Sequence, residues 1–591
     1  MVFQDFDIIH ERRRLERQQK FRKRVGIAVI VTIVLIGLIG AGIFLVVSTE
    51  KKEQGNSDST KTQKAPATNQ VSRSEKLIKT ICNDTSYKES CESALKKAVK
   101  EHPSLAQPKD LLKSSISATA DELDKAFSKA SSFEFNSPEE KQAFNVCKEV
   151  MANAKEELET SMAKVGDKDI GKLLSNGELN NWLSAVMSYQ ETCIDSFPDG
   201  KLKTNIKSTL NSSQELTSNS LAMTRQFSSY ISSVMEMPAA SRHLLESSSP
   251  SVDKDGLPNW LNHGERRMLK GADTEKPTPN VTVAKDGSGQ FKTISEALAA
   301  MPEKYDGRYV IFVKAGIYEE TVHVTKKMVN LTIYGDGSQK TIVTGNKNYV
   351  DGVPTYLTAT FVASGDGFLA KAMGFRNTAG PEKHQAVATR VDADRAIFLN
   401  CRFEGYQDTL YVQTHRQFYR SCVVAGTIDF IFGDAAAVLQ NCLIYIRKPM
   451  DNQKNIVTAQ GRKDKFETTG IVLQNCKILP DVSFTSVKSQ FKSYLGRPWK
   501  EYSRTIVMES LIEDLIDPAG WLEWEGTFAL NTLFYAEYNN DGPGAKTDAR
   551  VKWPGRKVIT KDEAMQFTVG TFLQGAWINE TGATVRMGLS S

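Results

Sequence analysis

Two aspartates lie 21 residues apart in unusually apolar surroundings. Asp408 is in the segment Gly405–Tyr411 and Asp429 is in Gly426–Gly433, and both segments are rich in aromatic and β-forming residues. Burying an unpaired carboxylate costs several kcal/mol, so an acid in such an apolar run is unfavourable unless it has a partner or a function. If the chain coils with about 21 residues per turn, the two acids are neighbours on adjacent turns. Two close carboxylates differ in pKa, so one can stay charged and attack while the other holds a proton.

Amide and guanidinium groups elsewhere in this part of the chain fit the same chemistry. Gln407 immediately precedes Asp408, and Gln385 lies one suspected coil earlier, so both amides can stabilise a developing oxyanion. Arg497 can orient an aspartate or bind an acidic substrate through two parallel hydrogen bonds. Three aromatic residues can offer flat surfaces to sugar rings: Tyr411, Phe432 and Trp499.

Each of these signals also has an ordinary structural explanation. An Asp beside Gly or Thr is usually a turn or capping residue, a Gln in a strand is usually structural, and an Arg-Pro-Trp stretch usually packs. Only their joint occurrence on one repeat face favours an active site. The sequence has no nucleophile-elbow, zinc-protease or phosphate-loop motif, and its histidines after residue 280 are His323, His384 and His415. Because these other catalytic motifs are absent from the sequence, catalysis by the two carboxylates is the mechanism that the sequence favours.

One pattern repeats along the C-terminal part of the chain. A Cys preceded by Asn or Ser follows an apolar run in four segments: Ile397–Phe403, Phe418–Val424, Val438–Ile444 and Val472–Ile478. The cysteines step by 21, 20 and 34 residues, which is typical of stacked coils and predicts an all-β parallel β-helix over residues 280–591. Neighbouring coils lie about 4.8 Å apart, so disulfides between them are geometrically easy. The four cysteines allow three pairings, and the spacing does not choose among them.

The N-terminal region predicts a membrane-anchored, exported chain. Residues 1–24 are basic, and residues 25–47 are uncharged, almost wholly apolar and long enough to span a bilayer core of about 30 Å. The positive flank places the N-terminus in the cytosol. The alternative is a cleaved signal peptide, whose apolar region is usually shorter, about 7–15 residues. Residues 48–73 have the composition of a flexible stalk.

Residues 74–235 have apolar residues at helical spacing and predict an all-α four-helix bundle. Their cysteines lack zinc-type spacing, so disulfides are favoured over a metal site: Cys82 and Cys91 can staple a helical hairpin, and Cys147 and Cys193 can clamp the bundle. Five N-glycosylation sequons agree with export, and they begin at Asn83, Asn211, Asn280, Asn330 and Asn579. The net charge of +5 is mild and does not suggest nucleic-acid binding.

The linker 236–279 carries basic-leucine motifs that can be proteolytic processing sites. Arg242–Leu245 has one leading basic residue, whereas Arg266, Arg267, Met268 and Leu269 form a dibasic motif. The alternative explanation is that these charges are ordinary solvated side chains.

The motifs around the two aspartates carry a family resemblance. The chain resembles plant pectin methylesterases (pectinesterases) made with an N-terminal inhibitor-like pro-region. The matching segments occur in the family's order from about Asn280 to the C-terminus: Gly316–Glu319, Gln385–Ala388, Gly405–Tyr411, Gly426–Gly433 and Leu495–Trp499. Residues 74–235 resemble the inhibitor domain more loosely, through four cysteines and a helical pattern.

The resemblance implies a right-handed β-helix and a division of roles. Asp429 would attack the methyl ester carbonyl of a galacturonate, and Asp408 would protonate the departing methanol and then activate water. Gln385 and Gln407 would stabilise the tetrahedral anion, Arg497 would orient the nucleophile, and Trp499 would bind the sugar chain. No metal or organic cofactor is implied. The implied disulfides are Cys401 with Cys422 and Cys442 with Cys476.

The resemblance also implies partners and a location. The substrate would be methyl-esterified homogalacturonan in the plant cell wall, and separate proteinaceous inhibitors would bind the enzyme. The pro-region would block the cleft of a membrane-anchored precursor until a Golgi protease cleaves it, and the mature enzyme would be a monomer in the wall. The main cut would be the dibasic motif Arg266–Leu269, because Arg242–Leu245 lacks the family's second basic residue. Two alternatives stay open: a pectin lyase or polygalacturonase-like enzyme on the same β-helix, and a chain whose inhibitor-like region is the functional product, with a wall-binding β-helix.

Overall fold

The computed structural model describes residues 67–102, 107–166, 173–174, 177–235 and 277–590. The predicted basic segment 1–24, the predicted span 25–47 and the dibasic motif at 266–269 lie outside these residues. Within the described ranges, no helix is long and apolar enough to cross a bilayer. The helical region, 67–235, and the β-helix, 277–590, both belong to the compact unit Gln70–Ser591, apart from the first residues of the first helix.

The helical region contains six helices among the described residues, rather than the four predicted from the sequence. The helices are α1 (Ala67–Cys82), α2 (Lys88–Glu101), α3 (Pro108–Ala130), α4 (Pro138–Val165), α5 (Glu178–Ser196) and α6 (Lys201–Met235). The two additional helices, α1 and α2, are the arms of the short hairpin stapled by the Cys82–Cys91 disulfide. A second disulfide, Cys147–Cys193, joins α4 to α5, so both predicted bonds of this region are present.

Local sequence explains where α4 starts and why α5 is central. Pro138 stands at the start of α4, and Ser137 and Glu140 form a reciprocal capping box that satisfies the first free amides. Helix α5 is different, because 15 of its 19 residues are buried. A helix buried on all sides must have neighbours on all sides. Helix α5 packs against α4 and α6 on one side and against the β-helix on the other.

The β-helix contains 26 strands in three sheets, and every strand pair in them is parallel. Sheet A has eleven strands: β1 (Val281–Val283), β2 (Tyr309–Val313), β5 (Leu331–Gly335), β8 (Leu369–Lys371), β11 (Ala396–Leu399), β14 (Arg416–Arg420), β17 (Ala436–Gln440), β20 (Gly470–Gln474), β23 (Arg504–Met508), β25 (Phe534–Tyr538) and β26 (Arg556–Val558).

The other two sheets complete each coil. Sheet B has seven strands: β4 (Val322–Val324), β7 (Phe361–Ala363), β10 (Thr389–Val391), β13 (Leu410–Val412), β16 (Ile431–Gly433), β19 (Asn455–Gln460) and β22 (Ser493–Gly496). Sheet C has eight strands: β3 (Gly316–Glu319), β6 (Thr341–Gly345), β9 (Gly374–Asn377), β12 (Arg402–Glu404), β15 (Val423–Gly426), β18 (Leu443–Ile446), β21 (Lys477–Pro480) and β24 (Leu511–Ile512).

The sheet register confirms the coil predicted from the repeat. In sheet A, Ile397 pairs with Phe418, Phe418 with Val438, and Val438 with Val472, which are the first residues of the four repeated segments. The residue before each Cys has a positive φ of 52° to 57°, at Asn400, Ser421, Asn441 and Asn475. A left-handed corner is therefore needed at this point of each coil, and Asn tolerates that conformation better than most residues.

The four cysteines of the repeat form a buried ladder of free thiols, which differs from the pairing implied by the resemblance. Neither Cys401–Cys422 nor Cys442–Cys476 is bonded in the structure. The physical reason lies in the repeat itself, because each inner cysteine has an equivalent neighbour on both adjacent coils. Stacking alone therefore favours no single pairing.

Aromatic rings fill the centre of the coils, and three short C-terminal helices cover the outer face of sheet A. Phe375 lies 5.5 Å from Phe403, and Phe398 lies 5.0 Å from Tyr419, as ring centroids. The short helices are α7 (Ile294–Ala299), α8 (Val482–Thr485), α9 (Lys561–Met565), α10 (Val569–Phe572) and α11 (Ala576–Asn579). The last three pack on the outer face of sheet A, and the helical region packs on the outer face of sheet B.

Candidate active site

The two aspartates lie at equivalent positions of adjacent coils, at the entry to sheet B. Leu410 of β13 pairs with Ile431 of β16, and each aspartate lies two residues before its strand residue. Both have a left-handed backbone, with φ of 63° at Asp408 and 50° at Asp429. A non-glycine residue held in this conformation costs about 1–3 kcal/mol, and such strain concentrates at functional sites.

Arg497 makes the two acids electrostatically different. Its Nε donates to Asp429 Oδ1 at 2.9 Å and its Nη2 donates to Asp429 Oδ2 at 2.5 Å, a two-pronged contact. Burial raises the pKa of Asp429, and the guanidinium opposes that rise. Burial also raises the pKa of Asp408, the charge of Asp429 raises it further, and the result lies well above the ordinary value. The arrangement favours a charged Asp429 beside a protonated Asp408.

A cavity of about 520 Å³ opens at this pair. Gln385 and Gln407, the two predicted amide donors, are half-buried and line it together with both aspartates and Arg497. Trp524 lies over the Arg497 guanidinium, with 4.3 Å between the guanidinium carbon and the ring centroid. Two amides, a proton donor, a charged carboxylate and its guanidinium therefore share one cavity. Such a set can attack a carbonyl and stabilise the anion that forms.

The three predicted aromatic residues form one cluster on the outer face of sheet B. The Tyr411 and Phe432 rings stack 4.3 Å apart, and Trp499 meets Phe432 edge-on at 5.8 Å. Gly461 makes room for the indole, because a Cβ at that position would lie 2.8 Å from the Trp499 ring. Tyr411 and Phe432 are only 5% exposed, so their flat faces are covered in the intact chain.

Helix α5 lies over this cluster. Lys500, the residue after Trp499, donates to Glu191 Oε2 at 2.7 Å and to Asp195 Oδ1 at 2.8 Å, and both acids belong to α5. Ser188 Oγ donates to the Gln413 carbonyl at 3.0 Å, and the hydroxyls of Thr192 and Tyr411 lie 3.4 Å apart. The apolar core of the helical region continues without a break into the outer face of sheet B.

A second set of polar contacts joins the helical region to the β-helix at the turns that follow β4, β10 and β13 of sheet B. Glu157 of α4 lies 3.3 Å from His415 Nε2 and 3.3 Å from Lys326 Nζ. Asn181 of α5 donates to Asp394 at 3.2 Å. Burial lowers the pKa of His415, but the facing carboxylates of Glu157 and Asp394 outweigh it, so the pKa is raised overall.

Sequence reasoning missed several residues of this site. Lys500 directly follows a predicted residue, but an isolated Lys is usually a solvated charge. Trp524 lies in a segment without a repeat, so no signal pointed to it. The covering acids Glu191 and Asp195 lie about 300 positions away along the chain, and only the fold brings them to Lys500. In the described ranges, no three His, Cys, Asp or Glu side chains are grouped to hold a metal ion.

Two family models match the chain, and known proteins match it over both parts. The pectinesterase model matches residues 280–576, and the plant invertase/pectin methylesterase inhibitor model matches residues 76–223. Putative pectinesterase/pectinesterase inhibitor 45 of Arabidopsis thaliana is 54% identical, and probable pectinesterase/pectinesterase inhibitor 13 of the same plant is 51% identical, each over 100% of both chains. The structure of pectin methylesterase from carrot is 53% identical with a TM-score of 0.53, and it covers 54% of this chain and 100% of its own.

Proposed function

The chain belongs to the pectinesterase family, and from this premise we propose that its Asp408–Asp429 pair removes methyl esters from homogalacturonan. The single observation that carries the assignment of roles is the two-pronged contact from Arg497 to Asp429, which Asp408 lacks. A carboxylate held by a guanidinium stays charged more readily than its neighbour. Asp429 is therefore the nucleophile and Asp408 the proton donor.

The reaction proceeds in two steps. A carboxylate oxygen of Asp429 attacks the ester carbonyl carbon, and the amides of Gln385 and Gln407 donate to the tetrahedral oxyanion. The intermediate collapses, the bond to the methoxy oxygen breaks, and Asp408 gives its proton to the leaving group, which departs as methanol. This step leaves the galacturonyl group joined to Asp429 as a mixed anhydride. Asp408, now charged, takes a proton from water as the water attacks, which releases the galacturonate and restores Asp429.

We infer further that the helical region inhibits the enzyme within the same chain. Helix α5 lies on the aromatic cluster that would hold the polymer, and its Glu191 and Asp195 bind Lys500, the residue after Trp499. A polymer cannot lie along sheet B while this helix is present. Separate proteinaceous inhibitors would compete for the same face once the helical region is gone.

Processing, modification and location are parts of the same proposal. Cleavage by a Golgi protease after Leu269 would free the β-helix, which would then act as a monomer in the cell wall, and residues 25–47 would anchor the precursor. The five sequon asparagines are exposed, which suits glycan attachment: Asn83, Asn211, Asn280, Asn330 and Asn579.

Product analysis separates this proposal from a lyase or polygalacturonase. Purified 277–591 incubated with highly esterified pectin is expected to release methanol while the polymer keeps its length. New unsaturated ends would indicate a lyase, and new reducing ends would indicate a glycosidase. Methanol-free products of either kind would overturn the esterase assignment, and no reaction at all would favour a wall-binding scaffold.

A further inference from the structure

The segment 461–469, which is the turn between β19 and β20, supports the part of the site that carries Trp499. Gly461 lies directly against the indole, since a Cβ at this position would lie 2.8 Å from the ring. The carbonyl of Arg462 accepts a hydrogen bond from the amide of Tyr502 at 3.0 Å. The conformation of the 461–469 segment therefore determines where Trp499 lies.

Two buried carboxyl groups hold this segment in place. They belong to Asp434, which follows β16, and to Glu467 of the segment, and they are 4% and 1% exposed. Asp434 Oδ1 accepts from Gln460 Nε2 at 3.0 Å and from Thr469 Oγ1 at 2.5 Å. Glu467 Oε2 accepts from the amide of Lys463 at 2.9 Å. The other two oxygens, Asp434 Oδ2 and Glu467 Oε1, have no hydrogen-bond partner in the described part of the chain.

One proton held between these two oxygens satisfies both. Burial raises the pKa of Asp434 to about 7. Burial also raises the pKa of Glu467 well above its ordinary value, and the charge of Asp434 and a hydrogen bond with it raise it further. Two adjacent buried carboxylates strongly disfavour being charged together, so the pair keeps one proton and one negative charge.

The charges around the pair balance when it holds this proton. Arg462 and Arg504 donate to main-chain carbonyls of the segment, at 3.0 Å from Arg462 Nε and 2.6 Å from Arg504 Nε. Asp464 supplies a second negative charge, and the Phe567 ring, 5.9 Å from Arg504, adds none. Arg225 of α6 is exposed and leaves with the helical region. In the separated β-helix, loss of the proton would therefore add a buried negative charge without a partner.

We propose that Asp434 and Glu467 are positioning residues that share one proton, and that this proton holds the 461–469 segment, and through it Trp499, in the place that binds the polymer. This positioning role rests on the proposed function, because it takes Trp499 to bind the sugar chain. When the proton is lost, the two carboxylates repel each other and the segment moves out to hydrate them. Trp499 then loses the surface against which it packs.

The effect has a definite direction in pH. With the segment open, both carboxyls are hydrated and lose their protons near their ordinary pKa of about 4. With the segment closed, their pKa values are raised, so the proton is kept to higher pH. The stabilisation is therefore fully present below about pH 4 and is lost as the pH rises through the raised values, which begin at about 7.

The test compares the separated β-helix, 277–591, with its Asp434→Asn variant. The carrot enzyme, whose whole chain matches 54% of this one, shows that such a β-helix folds without a helical region. In the variant, an amide nitrogen replaces Oδ2 and donates to Glu467 Oε1 at every pH, while Oδ1 keeps both of its hydrogen bonds. The amide thus does permanently what the shared proton does only until it is lost.

Two quantities are measured from about pH 5 to about pH 8: hydrogen-exchange protection of the 461–469 amides, corrected for intrinsic rates, and KM for highly esterified pectin. In the parent, protection should fall by about tenfold or more, since one proton changes an equilibrium by up to tenfold per pH unit, and KM should rise at least about threefold. Asp434→Asn should remove both changes. KM is used because kcat also varies with the protonation of Asp408.

The control Glu404→Gln neutralises a half-buried carboxyl of sheet C that Arg376 and Arg402 hold, and it should keep the parental pH dependence. Parental protection and KM that do not change with pH, or a variant that changes as the parent does, would overturn the proposal. If Asp434→Asn does not fold, Glu467→Gln supplies the matching amide from the other side, and a parental pH dependence in that variant would reject the shared proton. Failure of the proposed function is a separate result, because it would be an absence of methanol release by the folded parent at every pH, with hydrogen exchange still measurable.

Discussion

Neutralising the two acids that hold Lys500 is expected to activate the intact, uncleaved chain. In the covered arrangement, the Lys500 side chain is 13% exposed, and its ammonium contacts Glu191 and Asp195 at 2.7 and 2.8 Å. Burial raises the pKa of Glu191, but Lys500 more than offsets this and lowers it to about 2, so this partner is charged at all relevant pH values. The double variant Glu191→Gln/Asp195→Asn leaves Lys500 buried without a counter-charge only while the helical region covers it.

The magnitude follows from the cost of an uncompensated buried charge. Removing the partner of a buried ion costs about 3–5 kcal/mol, and the lower end applies because the amide oxygens still accept hydrogen bonds. In the uncovered state Lys500 is hydrated, so this cost falls on the covered state alone. A shift of about 3 kcal/mol raises the uncovered population roughly 100-fold. Methanol release by the intact chain should rise by that factor, up to the rate of the separated β-helix.

The assay compares methanol release from chains that mass spectrometry shows to be uncleaved. The control is Asp124→Asn, which breaks the exposed pair between Asp124 and Lys155 on the helical region and should leave the rate at the parental level. A double variant that is no faster than the parent, while the separated β-helix is active, would refute the idea that this contact keeps the chain latent.

Three further perturbations test other parts of the account. Arg497→Lys keeps the charge but loses the two-pronged contact with Asp429, so kcat should fall about 10- to 100-fold. The pKa of Asp429 should also rise. An acid limb of the pH profile of kcat that does not move to higher pH would contradict this. Protonated His415 stabilises the covered state. Because its pKa is raised, this stabilisation is present below about pH 6.5 and is lost as pH rises through the raised pKa. Latency should therefore weaken as pH rises above about 6.5, and His415→Gln should flatten that change. The double variant Cys147→Ser/Cys193→Ser opens a loop of 46 residues. It should lower the free energy of unfolding of the helical region by about 4 kcal/mol in urea titrations. An unchanged urea midpoint would show that the disulfide does not stabilise the helical region.

The repeat was informative because its period determines which residues stack on neighbouring coils. A 21-residue step between Asp408 and Asp429 becomes a stacked pair as soon as the chain coils with that period, and the cysteine steps report the same period. The contacts of Lys500 could not be predicted in this way, because its partners lie on a helix about 300 residues earlier and no period relates them.

Other differences have equally concrete causes. The sequence predicts α5 as one more helix of a bundle. The helix is buried on nearly every side because it also lies against sheet B. Stacked cysteines have equivalent neighbours on both sides, so spacing could not select a pairing. Tyr411 and Phe432 were expected to offer faces to sugars, but in the intact chain they stack on each other beneath the helical region.

Methanol release by separated 277–591 carrying Asp429→Asn tests the central claim most directly. The amide has nearly the same shape as the carboxylate but cannot attack an ester. The account predicts a loss of at least about 10³-fold in kcat with a folded protein, judged by its melting curve, because loss of a nucleophile removes the covalent route. A folded Asp429→Asn protein that retains methanol release within tenfold of the parent would contradict the account.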